Sequence, residues 1–132
     1  MTVDERQLAS AVVEFHEGSP PLVRITLREE QPLDAEKVQE LLDLLTSRIV
    51  ERSQILVDSR GLASMTREAR ELAAGDQIVP FVHRIAVLVG SPVSTIISNF
   101  VIHVSRPRYP ISAFTDEASA MAWLSDASRG HR

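Results

Sequence analysis

The chain has no cysteine, one tryptophan, one tyrosine and four phenylalanines. Without cysteine there is no disulfide framework, no thiolate nucleophile and no cysteine-based metal site. Its five glycines are scattered, and neither GxxxxGK[ST] nor GxGxxG occurs, so the phosphate loop and the dinucleotide fingerprint are both missing. There is no HExxH frame and no GxSxG elbow either, which removes the usual signatures of a zinc protease and an α/β-hydrolase. A basic excess is also lacking. Eighteen acids against fourteen bases give a net charge of -4, and only Lys37 among the bases is a lysine. Proteins that bind nucleic acid draw most of their affinity from phosphate neutralisation, so no nucleic-acid partner is expected.

Long uninterrupted hydrophobic runs are missing as well. Ile85 to Ser105 carries no formal charge, but Gly90-Ser91-Pro92 breaks it, and Ser94, Thr95, Ser98, Asn99 and His103 follow. A buried strand, a turn and an amphipathic helix account for it better than a membrane span. Met1 to Ser10 holds Asp4, Glu5 and Arg6 and lacks the basic start and apolar stretch of a signal peptide. The expectation is a cytoplasmic protein with no membrane association.

What is present fits an ordinary globular domain: 132 residues, 44% hydrophobic and 24% charged. One domain over 1–132 is expected, with 1–9 and 128–132 flexible. Val13 and Phe15 alternate with Glu14 and His16, and Val23, Ile25 and Leu27 alternate with Arg24, Thr26 and Arg28. Glu17-Gly18-Ser19-Pro20-Pro21 lies between them. Period-two alternation across such a turn predicts an antiparallel hairpin.

Asp34 then suits the N-cap of a helix whose stripe is Val38, Leu41, Leu42, Leu45 and Ile49, ending near Arg52. Ile55-Leu56-Val57 and Ile85-Ala86-Val87-Leu88-Val89 read as strands buried on both faces. Between them a helix carries Met65, Ala69, Leu72 and Ala73 on one face. Ser91 and Pro92 can start the next helix, whose stripe is Val93, Ile96, Ile97, Phe100, Val101 and Val104. Tyr109 to Phe114 reads as an edge strand because of Pro110. Thr115 then caps a final helix with Asp116 and Glu117 in its first turn. The predicted order is β-β-α-β-α-β-α-β-α, an α/β fold with a mixed sheet, a leading antiparallel hairpin and about four helices.

Three stretches, ILVDSRGLASMTREAR from Ile55, AVLVGSPVSTIISNF from Ala86 and PRYPISAFTDEASAMAWL from Pro107, resemble the SpoIIAA-like (STAS/SEC14-type) small bacterial domains, in an uncharacterised subgroup. The resemblance covers Ile55 to Leu124, with the hairpin and first helix agreeing by order only. It implies a SpoIIAA-like sheet. In anti-sigma-antagonist relatives it also implies a phosphorylatable serine at the start of the helix after the central strand. Laid on this chain, that position falls at Arg67 or Glu68, which cannot accept phosphate. Ser64 and Thr66 are near and serve equally as helix caps. A phosphorylation switch is therefore not carried over.

Four constellations remain. Asp58, Ser59, Arg60 and Gly61, with Gly90, Ser91 and Ser94, sit where open α/β sheets bind ligands, beyond the carboxyl ends of strands. A helix N-terminus at Ser91 and the Arg60 guanidinium could take an anion, although capping is the commoner use of such a serine. Arg106, Arg108 and Tyr109 could contact phosphate, a base or a partner, or could simply cross into the edge strand. His16, His83, His103 and His131 have no metal-ligand spacing. Glu29-Glu30 reads as a loop and Asp116-Glu117 as a helix first turn, not as an acid/base pair.

No catalytic residue, metal or cofactor is assigned. The leading expectation is a non-enzymatic binding or regulatory module. Its ligand side would be Asp58, Ser59, Arg60, Ser91 and Ser94, and its partner a protein, a small ligand or a second copy in a homodimer or other homo-oligomer. The alternatives are a SEC14-like carrier of apolar ligands, with a cavity between the sheet and the Phe100 and Trp123 helices, and a small hydrolase or transferase.

Overall fold

The computed structural model describes residues 3–28 and 32–128. Glu29-Glu30 and His131 lie outside the described residues. Six strands form one sheet in chain order: β1 (Val3–Gln7), β2 (Ala11–His16), β3 (Leu22–Leu27), β4 (Ser53–Asp58), β5 (Val82–Leu88) and β6 (Ile111–Phe114). The first three are antiparallel and the last three join in parallel. The helices are α1 (Ala35–Arg48), α2 (Arg67–Ala73), α3 (Pro92–Phe100) and α4 (Glu117–Ser128). A 3-10 turn covers Val79–Phe81, and a π-helical turn continues α3 over Val101–Ser105.

The predicted hairpin is β2–β3, with Val13 opposite Ile25 and Phe15 opposite Val23. The sheet has one strand more than the hydrophobic pattern predicts, because 3–7, expected to be flexible, pair with β2 as β1. Asp4, Glu5, Arg6 and Gln7 carry no apolar alternation, so backbone pairing rather than burial holds this edge, and periodicity could not reveal it. Helix α1 ends at Arg48 rather than near Arg52, since Ile49 leaves helical geometry (ψ 116°) to enter the core. Asp34 caps α1 as expected, accepting from the Lys37 N–H at 2.9 Å. Met65 lies before α2 and bridges to Leu33. Asp116, not Thr115, caps α4: the Ser119 N–H donates to it at 2.8 Å and the Ser119 hydroxyl at 2.9 Å. The Ser119 N–H first and its hydroxyl second hold this carboxyl below the usual carboxylate range.

Side chains alternate across each strand, so the sheet separates two apolar layers. Leu56, Ala86 and Leu88 meet Ala120 and Leu124 of α4 on one face. Ile55, Ile85 and Val87 face α1, α2 and the inner side of α3 on the other. Among the described residues no helix is long and apolar enough to cross a membrane.

Candidate functional site

The carboxyl ends of β4 and β5 bring the predicted strand-end residues together, but as a closed network. Asp58 ends β4 and is 7% exposed. It accepts from the Arg60 backbone N–H at 3.1 Å, from Arg60 Nε at 2.9 Å and from Arg60 Nη2 at 2.8 Å. Arg24, projecting from β3 on the α4 side, adds a contact at 3.4 Å and bonds Glu117 at 2.7 Å. Its place here depends on the parallel β3–β4 register, which pairs Arg24 with Leu56 and Thr26 with Asp58 and cannot be read from sequence spacing. The Arg60 side-chain hydrogen bonds, outweighing burial, hold the Asp58 carboxyl below its ordinary range. A carboxylate kept ionised between two guanidiniums is a poor proton acceptor.

The remaining predicted contacts are also internally satisfied. Ser59 is 2% exposed and donates to the Leu88 carbonyl at 2.7 Å. Ser91 and Ser94 form a capping box, each side chain accepting from the other's backbone N–H at 3.1 Å, and Ser94 is fully buried. Only Arg60 and the rim of Ser91 reach solvent. The serines that could have offered a helix N-terminus to an anion instead fill its first turn. Thr66 caps α2, accepting from Ala69 N–H at 3.1 Å. Ser64 is exposed, and its carbonyl accepts from Leu33.

Gly90 is required by close approach. A Cβ there would lie 2.9 Å from Arg60 Cγ. Gly90→Ala is therefore expected to push the Arg60 stem off Asp58 and cost about 1 kcal/mol. Urea unfolding, with the Arg60 Nε–H resonance as the local reporter, checks this. An unshifted resonance would count against it.

The Arg106, Arg108 and Tyr109 group divides: the two arginines are exposed and the tyrosine is buried. Arg106 takes the left-handed conformation (φ 53°) after the π turn, and Arg108 lies 3.8 Å from Asp76. Tyr109 is buried, its hydroxyl donating to the Ala73 carbonyl at 2.8 Å, and burial raises its pKa strongly. The ring is unavailable to stack on a base or meet a partner, because it packs against the same apolar layer as Ile85 and Val87. His83 and His103 are exposed, and His16 sits 3.3 Å from Glu14. Among the described residues no three His, Asp or Glu groups converge as a metal site.

An apolar feature lies on the opposite side of the sheet from α4. A chamber of about 140 Å³ separates the sheet from α1, α2 and α3. Its floor includes Ile55, Ile85 and Val87, and its roof Leu42, Ile97 and Val101. Its lining is almost wholly apolar, with Ser59, Ser98 and Tyr109 at its margins. Of the cavity foreseen between the sheet and the Phe100 and Trp123 helices, it has the sheet and the Phe100 helix as walls but not the Trp123 helix. Those rings are on opposite faces of the sheet: Phe100 lies outside, under the Arg70 guanidinium at 4.4 Å, and Trp123 packs on Phe114 at 5.6 Å beneath Arg84.

Helix α3 explains the space. Its inward side pairs Ile97 and Val101 with the small Ser94 and Ser98, so it reaches less far into the layer than an all-aliphatic face would. The Arg106 N–H donates to the Val101 carbonyl at 3.0 Å, five residues back, and this wide turn lies over the chamber. Serine four residues from serine within an apolar helix was the available sequence signal.

The fold has a counterpart in a crystal structure of an uncharacterised protein of the DUF3478 family from Shewanella loihica PV-4, which has a SpoIIAA-like fold. The two agree with a TM-score of 0.62 at 16% identity, over 94% of this chain and 98% of the other. The chain thus has a SpoIIAA-like α/β fold, as its central and C-terminal stretches implied. Within that class it belongs to the family described as a domain of unknown function, DUF7793, whose model matches residues 21–128. Comparison with curated proteins gives no match.

Proposed function

We propose that this chain is a cytoplasmic, non-catalytic binding domain that takes a small apolar ligand into the chamber beneath α1, α2 and α3. The supporting observation is the chamber itself: about 140 Å³ with an almost entirely apolar lining. An apolar cavity of about 150 Å³ engineered in another protein stays dry and binds benzene. A ligand the size of one aromatic ring or a short alkyl chain matches this volume. The polar strand-end residues act as a clasp at the end of β4 rather than as ligand contacts, since Asp58, Ser59 and Ser94 are already satisfied.

Toluene tests the reading. At tenfold excess over its dissociation constant a one-site ligand stabilises by about 1.4 kcal/mol, which is a rise in Tm of roughly 5 °C for a domain of this size. Val87→Phe, which fills the floor, is expected to abolish the rise. No rise in the unsubstituted chain, or a rise that survives Val87→Phe, would overturn the proposal.

A further inference from the structure

Helix α3 and its π turn turn their larger apolar groups outward. Val93 is 42% exposed, Ile96 68%, Phe100 38% and Val104 61%, while Ser94 and Ser98 are buried beneath them. Sequence periodicity placed all of these apolar residues on one stripe. The structure divides that stripe, sending only Ile97 and Val101 toward the sheet. A helix apolar on both sides is normally covered on both. The exposed row runs about 16 Å along the axis at 1.5 Å per residue. It falls within the range of apolar patches on monomers that are commonly functional.

The two ends of the row differ in charge. At the N-terminal end, Ile96 and Pro92 share a surface hollow with Thr115, which precedes Asp116 and Glu117. At the C-terminal end stand Arg106 and Arg108, both exposed. Arg106 makes no ion pair with the described residues, and Arg108 has only the long contact to Asp76. The row is also close to symmetric when reversed: Val93 and Val104 lie at its ends, with Ile96 and Phe100 between.

We infer that this face binds a second copy of the chain, α3 against α3 and antiparallel about a two-fold axis near residue 98. In that arrangement Val93 meets the partner's Val104, and Ile96 meets the partner's Phe100, each contact occurring twice, as a two-fold interface requires. Arg106 and Arg108 of each copy reach the end of the other that carries exposed Asp116, where Glu117 is already bonded to Arg24 and Arg60 to Asp58, so Asp116 is the carboxylate that meets them at each rim. A parallel copy would set Arg106 against Arg106 and oppose the charge pattern. The four apolar side chains alone supply on the order of half of the roughly 800 Å² that each partner contributes to a standard interface. The dimer is accordingly a reversible one, completed by the charged rims. It does not depend on the chamber's ligand.

Sedimentation of the full chain over a wide concentration range tests the inference. A reversible dimer is expected. Ile96→Glu and Val104→Glu should each weaken it more than tenfold, with far-UV circular dichroism unchanged and Tm unchanged at concentrations where every chain is monomeric, because both side chains are at the surface. Arg106→Glu should weaken it about fivefold and flatten its salt dependence. The cysteine-free chain permits a test of direction: Val93→Cys chains mixed with Val104→Cys chains should form the mixed disulfide faster than either forms its own. A monomer at every concentration, a dimer that survives Ile96→Glu, or like-with-like disulfides predominating would each overturn the inference. So would a monomer that sediments with anionic phospholipid vesicles through this face, since that would make a membrane its occupant.

Discussion

Leu88→Ala is expected to lower the free energy of unfolding by about 4 kcal/mol, and Ile85→Ala, three residues earlier on the same strand, by only about 2.5 kcal/mol. Both residues are buried in β5. Both changes delete aliphatic carbon from a central strand, so strand propensity and transfer terms are similar. The difference is what surrounds them. Leu88 is fully buried among Leu56, Ala86, Ala120 and Leu124 under α4, where truncation leaves a new hole and the contacts around it are forfeited. Ile85 borders the chamber of about 140 Å³. One side of it already lacks neighbouring atoms, so less dispersion contact is lost. Urea unfolding with a shared slope measures both. Equal losses at the two sites would mean that the chamber layer is as closely packed as the α4 layer, and would remove the support for an apolar ligand.

The second large effect concerns charge. Asp58→Asn is expected to cost about 2 kcal/mol near neutral pH. The amide keeps one acceptor for the Arg60 backbone N–H, but its NH₂ then faces Arg60 Nη2, donor against donor, where the carboxylate accepted at 2.8 Å. Because Arg60 is half-exposed, the loss stays well below that of a fully buried pair. The pH dependence follows from the direction of the shift. The folded-state pKa of Asp58 is depressed by the Arg60 hydrogen bonds. Its stabilisation is therefore complete above the unfolded value near 4 and disappears as the pH falls through the lower folded value. The two proteins should differ by about 2 kcal/mol near pH 7 and converge in strong acid. A difference that persists unchanged in acid would show that the Asp58 charge contributes nothing.

Much of the architecture was legible because burial has a period. The β2–β3 hairpin, the doubly buried β4 and β5, and the start of α1 at Asp34 all follow from apolar spacing and caps. Pro110 marked β6 as the edge that it is. Strand β1 carried no such mark, since its order comes from backbone pairing with β2. Around the candidate sites the limits were different. The sequence identified Asp58, Ser59, Arg60, Ser91 and Ser94 as neighbours at strand ends, and they are neighbours. Their polar atoms face one another and the backbone, Asp58 taking Arg60, Ser59 the Leu88 carbonyl and Ser91 Ser94, while Arg24 joins them only through the β3–β4 register. Tyr109, read as a surface contact, is buried against Ala73.

The residues alone determined the layered α/β order, because alternating and helical spacings of apolar side chains admit few ways to leave water. They also excluded thiol chemistry and the glycine-rich phosphate loops. Only the tertiary structure decided which side of α3 faces inward and how far that helix stands from the sheet. A helix apolar on two sides can be buried by either one, and spacing is blind to the choice. The chamber beneath α3 and the bare row above it both arise from that choice, made by two serines that fit under the helix where larger side chains would not.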